Sequence, residues 1–313
     1  MNKKKKFYYG GQAVIEGVMM RGRKSIAVAV RRPNGEIALS SEPLSGMSTS
    51  RVREIPLVRG LVVLVETLVL GIKTLFYSAS VSVDEEIKIS PWLLWGSVAV
   101  GFIVALGLFL ALPLLATHYV DPYVSSTESN LIDGVIRLVI FIIYLGSIAL
   151  IPDIRRVFAY HGAEHKTINA YEAGEPLEVE RIREYSTAHS RCGTNFILIV
   201  MVIAIIAFVF LGRPPLWLRY VERILILPAI AAVSYEIIKF GAAHIENIAV
   251  RVALRPGLAL QAMTTRQPDD RQIEVAISAL QRVLALDAEP PPKLAEETTS
   301  VPGMADGPGS VHL

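Results

Sequence analysis

The sequence predicts a mainly α-helical integral membrane protein: a helical bundle of about four spans, one further apolar helix and a small N-terminal β unit. Three observations predict this fold class. Apolar residues make up 52% of the 313 residues and charged residues only 19%, the mean hydropathy is +0.45, and long uncharged apolar stretches recur. One water-soluble core cannot hide so much apolar surface, and a lipid bilayer is the alternative solvent. The net charge of +2 gives no indication of nucleic-acid binding.

Residues 1–50 predict the β unit. Two short strand-like runs, residues 25–32 and 36–43, flank Pro33-Asn34-Gly35. Asn-Gly supplies the positive φ angles of a tight hairpin turn. The chain opens with MNKKKKFYY, but GGQAVIEG follows where a secretory signal needs an apolar core, so no signal peptide is expected. The sequence contains one cysteine, which excludes an intrachain disulfide.

Residues 51–90 contain an apolar helix that carries charge. Within residues 55–80, Arg59, Glu66 and Lys73 recur every seven positions, which places them on one helix face. A helix with a single charged stripe favours an interfacial or packed position over an independent span.

Four other stretches are better candidate spans, because each approaches or exceeds the roughly 20 residues that cross a bilayer. They are residues 91–117, 133–152, 194–212 and 224–243. Domains 91–152 and 194–248 would then contain two spans each. Glu236 and Lys239 in the last span are three positions apart, so they can pair on one helix face.

Loop charges orient these spans. The first connection contains no Lys or Arg, whereas the N-terminus, residues 153–193 and the segment after the last span are rich in them. The positive-inside rule then predicts a multi-pass protein of the cell inner (plasma) membrane, with both termini and the second connection in the cytosol. Three arginines in the third connection, residues 213–223, run against this prediction.

The C-terminal part divides into two predicted regions. Residues 249–287 predict a cytosolic helical region, whose last helix has an apolar stripe and acidic residues in its first turn. The stripe consists of Ile273, Ile277, Leu280 and Leu284. Residues 288–313 are rich in Pro and Gly and predict a disordered tail.

Residues 153–193 form a predicted cytosolic metal-site segment. His161 and His165 are four positions apart, so on a helix they share a face and can bind one metal ion. With Glu164 they match the H-x-x-E-H pattern of inverted zinc peptidases, in which the glutamate is the general base. The expected cofactor is a divalent metal, with zinc favoured by the ligand types.

The same segment offers two further zinc donors, His189 and Cys192. Four protein ligands would make a closed structural site, whereas three would leave the open position of a catalytic one. Two interpretations without metal also stay open. The side chains could hydrogen-bond each other and phospholipid headgroups, or Cys192 could be a nucleophile activated by His189 or His161.

Four separated motifs carry a resemblance to a known family. GGQAVIEGVMMRG, YHGAEHK, HSRCGTNF and TTRQPDDRQIEVAI, in this order, are similar to the YqhQ-like bacterial membrane family, domain of unknown function 1385. The resemblance covers most of residues 8–285 and implies an integral membrane protein that is a predicted metal-dependent enzyme. The candidate site residues in the matching motifs are His161, Glu164, His165, His189 and Cys192.

The expected function is that of a zinc-type hydrolase, catalysed through Glu164, that acts on a lipid headgroup or a peptide at the cytosolic face of the bilayer. Three basic residues are the candidates for holding an anionic headgroup: Arg155, Arg156 and Lys166. The alternative is a non-enzymatic membrane scaffold or assembly factor with a structural metal site, which docks membrane-associated protein partners. A transporter that uses Glu236 and Lys239 is the third class.

Overall fold

The computed structural model describes residues 7–44, 55–84, 89–189, 191–244 and 246–288. Helices predominate among these residues, and a four-stranded antiparallel sheet lies near the N-terminus. The predicted mainly helical class with a small N-terminal β unit is therefore confirmed. The tail prediction falls outside the described residues from residue 289 onwards.

The sheet is a simple meander of order β1-β2-β3-β4. Its strands are β1 Gly10–Val14, β2 Gly17–Arg21, β3 Ser25–Arg31 and β4 Ile37–Pro43. The predicted hairpin between β3 and β4 is confirmed. Gly35 has a φ of 90°, and its amide donates to the Arg32 carbonyl at 2.9 Å.

Ten helices follow in the described residues. They are α1 Val58–Val81, α2 Pro91–Leu106, α3 Leu112–His118, α4 Ser126–Ile148, α5 Pro152–Ala173, α6 Val179–Ile182, α7 Gly193–Val209, α8 Leu216–Ala243, α9 Ile248–Thr264 and α10 Asp270–Ala288. A π-helical turn, Gly107–Ala111, joins α2 and α3 into one rod. A 3₁₀ turn, Asp121–Tyr123, precedes α4.

The sheet is covered on both faces. Val18, Met20, Ala27 and Ala29 pack in one cluster with residues of α5 and α10. The alternate residues, including Val14, Met19 and Val28, pack against Leu70, Tyr77 and Val81 of α1. Since successive strand side chains point to opposite faces, β3 is apolar from Ile26 to Val30, and it is buried from Ser25 to Val30.

The C-terminal region divides into two helices rather than continuing as one. A capping box starts α10, because Asp269 Oδ1 accepts from the Gln272 amide at 2.8 Å and Gln272 Oε1 accepts from the Asp269 amide at 3.0 Å. The predicted stripe faces the sheet and α5, with Ile273 and Leu280 fully buried. Helix α9 instead packs on α7 and α4.

Four helices are long and apolar enough to cross a membrane: α1, the α2–α3 rod, α4 and α8. Three of them contain predicted spans, and the fourth predicted span corresponds to α7, which has 17 residues. Two spans begin earlier than predicted, α4 at Ser126 and α8 at Leu216. Their first turns contain charged residues, which the hydropathy pattern assigned to loops.

A capping box of Ser125 and Glu128 starts α4, and buried ion pairs explain the early start of α8. Arg219 Nη2 lies 2.8 Å from Asp121 Oδ2, while Arg137 and Arg223 both contact Asp133, at 2.9 and 2.6 Å. The arginines that ran against the positive-inside prediction are therefore held by the aspartates of the facing connection and helix. A charge taken out of water in this way is tolerated only with a well-placed partner.

The charged stripe of α1 is confirmed as one face with three separate partners. Arg59 pairs with Glu236 of α8, Glu66 with Arg21 of β2, and Lys73 with Glu42 of β4. The first half of α1 thus lies along α8 and the second half lies on the sheet. Helix α1 therefore packs on both, and it is also one of the four helices that are long and apolar enough to cross a membrane.

Glu236, which was predicted to pair with Lys239, has a further partner on another helix. Its two oxygens accept from the Arg59 guanidinium and the Leu57 amide. Arg59 offers two donors in a planar fork that matches a carboxylate. The sequence spacing within α8 contains no information about that neighbour.

We expect Asp133→Ala to destabilise the protein strongly, because it leaves Arg137 and Arg223 buried beside each other without their shared anion. Breaking a buried pair costs about 3–5 kcal/mol. Thermal unfolding of the detergent-purified protein measures the effect. The control is Glu178→Ala, at an exposed residue without a side-chain capping bond, whose effect should stay within about 0.5 kcal/mol. Equal midpoints for the two variants would contradict the prediction.

Candidate metal centre

Helix α5 positions the predicted His–Glu–His motif. Pro152 occupies its first turn, and it ends at Gly174, whose φ of 84° forms a left-handed cap. The middle of the helix is buried between the sheet, α10 and the loop that follows α6. Gly162 allows this close packing because it has no Cβ. A Cβ at this position would lie only 2.0 Å from the Arg266 carbonyl oxygen.

The two histidines of α5 share a face, as their spacing predicts. Their ring centroids are 4.3 Å apart. His161 Nδ1 lies 2.9 Å from the Thr264 carbonyl, and His165 Nδ1 lies 2.6 Å from the Thr187 carbonyl. A carbonyl only accepts, so both Nδ1 atoms carry a proton. Each ring therefore keeps Nε2 for another partner, an arrangement typical of metal-ligating histidines.

Cys192 meets these histidines from the N-terminus of α7. Its Sγ lies 3.2 Å from His161 Nε2 and accepts from the Thr194 amide at 3.4 Å as the helix cap. Ligand atoms of His161, His165 and Cys192 lie within 4.8 Å of one another. In a tetrahedral zinc site the nitrogen and sulfur ligands are roughly 3.5 Å apart. The three side chains are therefore the group that could hold a metal ion.

Glu164 lies beside this cluster and is only 4% exposed. Its Oε2 is 3.3 Å from His165 Nε2. Burial raises the pKa of Glu164, against the lowering effects of His165, His161 and the Gly11 amide. Gly11 approaches closely, because a Cβ at this position would lie 3.2 Å from Glu164 Cγ and 2.2 Å from the Met19 carbonyl.

Cys192 and His161 shift each other's pKa toward a thiolate–imidazolium pair. Burial alone would lower the pKa of His161, but the hydrogen bond and the negative charge of Cys192 raise it above its ordinary value. Burial likewise would raise the pKa of Cys192, but hydrogen bonds from His161 and His165 lower it well below that of a free thiol. The contact therefore favours the ionised thiol and the protonated imidazole.

His189 adjoins the cluster without joining it. Its ring centroid lies 5.5 Å from that of His165, and Arg191 Nη2 lies 3.3 Å from its Nε2. Burial, then the charge of Arg191, lowers the pKa of His189 to about 3. Its backbone amide and carbonyl both bond to the Gln261 side chain, at 2.8 and 3.1 Å. His189 is thus a neutral neighbour of the three grouped ligands.

A cavity of about 600 Å³ opens onto the cluster. The sheet edge from Phe7 to Gln12 forms one wall, α1 and the end of α8 form another, and the cluster forms the floor. The volume lies within the range of ordinary small-molecule sites, roughly 300–1,000 Å³. A molecule in this cavity would reach Glu164 and the three ligands directly.

The basic residues predicted to hold a headgroup lie outside the cavity lining. Arg156 forms a bidentate pair with Glu16, with contacts of 2.6 and 2.5 Å. Lys166 is buried and donates to the Arg183 and Tyr185 carbonyls at 2.7 and 2.6 Å. Arg155 is exposed on the first turns of α5. Lys166 therefore holds the loop after α6, and Arg156 holds the β1–β2 turn.

Sequence reasoning missed the cations that do line the cavity. They are Arg21, Arg23, Arg191 and Lys239. One feature of the sequence pointed to this side of the site, the glycine-rich start of β1. GGQAVIEG belongs to one of the four motifs that carry the family resemblance, but its role was not predicted. The structure explains that motif through the approach of Gly11 to Glu164.

These features define a class: a helical protein with candidate membrane helices that carries a buried His–His–Cys cluster beside an open cavity at one end of its bundle. The family model "Protein of unknown function (DUF1385)" matches residues 55–286. The chain is 33% identical over 296 residues to the "Uncharacterized protein YqhQ" of Bacillus subtilis (strain 168), which covers 90% of this chain and 93% of that relative. The chain therefore belongs to this family, as its motifs predicted. No solved structure matches significantly.

We expect Gly11→Ala to disrupt the centre and Gly10→Ala to leave it intact. A Cβ at Gly11 collides with the Met19 carbonyl and crowds Glu164, whereas a Cβ at Gly10 meets nothing within 4 Å. Overpacking of this kind costs about 1–3 kcal/mol. Thermal unfolding of both variants measures the difference. Equal unfolding midpoints would show that β1 does not press on Glu164.

Cys192 should react with iodoacetamide at an almost constant rate from about pH 5 to pH 8 once metal has been removed with a chelator. Its lowered pKa keeps the thiolate present across that window. In His161→Asn the partner cation is lost, so the rate should rise with pH toward an ordinary thiol pKa of about 8.5. The label is site-specific, because the sequence has one cysteine. A wild-type rate that climbs about tenfold per pH unit across this window, as it does for a thiol below its pKa, would contradict the ion pair.

Proposed function

We propose that this protein is a metal-dependent, zinc-type hydrolase that works at one face of a membrane. The observation that carries the proposal is the orientation of His161 and His165. Backbone carbonyls fix both Nδ1 protons, so the remaining nitrogens are available beside Cys192 Sγ. Three grouped ligands also leave the fourth tetrahedral position open, which is the arrangement of a catalytic site.

The protein's own groups supply the rest of the chemistry. Zinc, when bound, supplies a Lewis acid that polarises a substrate oxygen and lowers the pKa of water. Glu164 lies next to the ligands with an elevated pKa, which suits a general base that accepts a proton near neutral pH. The Gly11 amide donates to this carboxylate and orients it toward the cluster.

The cavity supports catalysis over a purely structural role. A structural zinc site is closed by four protein ligands. Here the His189 ring lies beside Arg191 instead. His161, His165 and Cys192 all line the cavity. If the protein were a scaffold, Glu164 would be dispensable for its function. In a hydrolase, Glu164 would carry out the proton transfer.

The second candidate is a cysteine nucleophile. It is favoured by the 3.2 Å separation of Cys192 Sγ from His161 Nε2 and by the lowered pKa of the thiol. A Cys–His pair with these properties is the usual form of an activated thiolate. The two candidates differ in one respect, since only the hydrolase requires stoichiometric metal.

We expect the purified protein to contain about one zinc ion per chain, and His165→Ala and Cys192→Ser to lose most of it because each removes a ligand. Glu164→Gln should retain the metal, since it lies outside the three grouped ligands, but should lose hydrolysis. Elemental analysis of the purified variants measures the metal. The matched control is His244→Ala, at an exposed histidine at the end of α8, which should leave the metal content unchanged.

Two outcomes would contradict the proposal. Wild-type protein without stoichiometric metal, after growth with added zinc, would favour the cysteine nucleophile. Equal metal content in wild type, His165→Ala and Cys192→Ser would show that the metal binds elsewhere.

A further inference from the structure

The walls of the cavity differ in chemistry. The wall from the candidate membrane helices consists of Thr67 and Leu70 of α1 with Tyr235, Ile238, Lys239 and Ala242 of α8, and it is mainly apolar apart from the Lys239 ammonium. Met19 and Leu44 extend this surface on the sheet side. An apolar wall built from such helices is continuous with the surface that they present to lipid.

Arginines line the other side of the cavity, which forms its rim. They are Arg21, Arg23 and Arg191. Arg21 pairs with Glu66 and Arg191 with Glu172, and the one carboxylate among the described lining residues, Glu164, is almost fully buried. A ligand on this side therefore meets guanidinium groups rather than an exposed carboxylate of the lining.

The guanidinium groups of Arg23 and Arg191 each lie near an aromatic ring. The Arg23 guanidinium lies 5.3 Å from the centroid of the Phe7 ring, and the Arg191 guanidinium lies 4.2 Å from that of Tyr8. Arg191 also pairs with Glu172. A cation–π contact holds a guanidinium beside an aromatic ring, and the fork of guanidinium donors matches a phosphate. In Arg191 one of these donors, Nη2, is shared with Glu172 and His189.

We infer that the cavity binds an anionic phospholipid, with its phosphate between Arg23 and Arg191 and its acyl chain along Leu70, Ile238 and Ala242. This inference rests on the proposed function for the chemistry performed on the lipid, but the binding itself does not depend on metal. The phosphate would lie at the rim, and a headgroup bond would reach Glu164 at the floor.

The two-sided lining selects this ligand over soluble anions. Inorganic phosphate or an acidic peptide satisfies the cationic rim and leaves the apolar wall in contact with water. A zwitterionic lipid satisfies the wall but brings its own cation to the basic rim. An anionic phospholipid complements both sides, and a bilayer supplies it directly at the ends of α1 and α8.

The test measures binding of radiolabelled phosphatidylglycerol in dodecyl maltoside micelles to the immobilised full-length protein. Unlabelled phosphatidylglycerol should compete. Phosphatidylcholine, inorganic phosphate and penta-glutamate should compete at least about tenfold more weakly, which corresponds to about 1.4 kcal/mol.

Two pairs of variants locate the site. Arg23→Gln should weaken binding on the order of tenfold, the value of one charge-assisted contact, whereas Arg155→Gln, also exposed but outside the lining, should stay within about twofold. Ala242→Trp fills the apolar wall and should weaken binding similarly. Ala243→Trp, at the next exposed position outside the lining, should not.

Several results would overturn the inference. If inorganic phosphate competed equally well, the rim would be a site for a free anion. If penta-glutamate competed equally well, the rim would be a site for an acidic peptide. Equal losses in Arg23→Gln and Arg155→Gln would reduce the binding to general surface charge. The metal content of the same preparations separates the two proposals. Bound metal without lipid binding would overturn only the phospholipid proposal, and lipid binding without metal would overturn only the hydrolase proposal.

Discussion

The close approach of neighbouring backbone to two glycines is the constraint on which the rest of this structure depends. At Gly11 and Gly162, a carbonyl oxygen occupies the space that a Cβ would need, at 2.2 and 2.0 Å. The first approach holds β1 closely against β2, where Gly11 also faces Glu164. The second seats the α9–α10 connection on α5, so that the Thr264 carbonyl reaches His161. The orientation of the His161 and His165 rings therefore depends on the segments that pack against α5. The side chains of α5 alone could not fix it.

The apolar bundle imposes a second requirement, because charges within it need partners. The protein meets it at both ends. One end pairs Asp121 and Asp133 with arginines of α4 and α8, and the other pairs the stripe of α1 with the sheet and α8. The first end has short connections, residues 119–125 and 210–215, whereas the sheet, α5 and α10 gather at the second. This asymmetry places the cluster and its cavity where bundle and sheet meet.

Local patterns were predicted correctly and partners were not. The hairpin at Gly35, the shared face of His161 and His165, and the charged face of α1 all follow from backbone periodicity or turn geometry, which the sequence alone expresses. The early start of α8 was missed, because hydropathy counts Arg219 and Arg223 as exposed charge. Their neutralising partners lie about ninety positions away in the chain, in Asp121 and Asp133, and a local pattern carries no information about them.

The sequence by itself determined the membership of the family, the mainly helical class and the pair of histidines on one helix face, since each depends on motifs or on spacing within one element. Only the tertiary structure decided that Cys192 meets that pair while His189 turns to Arg191. It also decided that Arg21, Arg23 and Arg191 line the cavity while Arg156 and Lys166 hold other segments. The physical reason is the same in each case. A side chain's role in a site depends on which element packs beside it, and the chain brings α5, β1 and the start of α7 together from distant parts of the sequence.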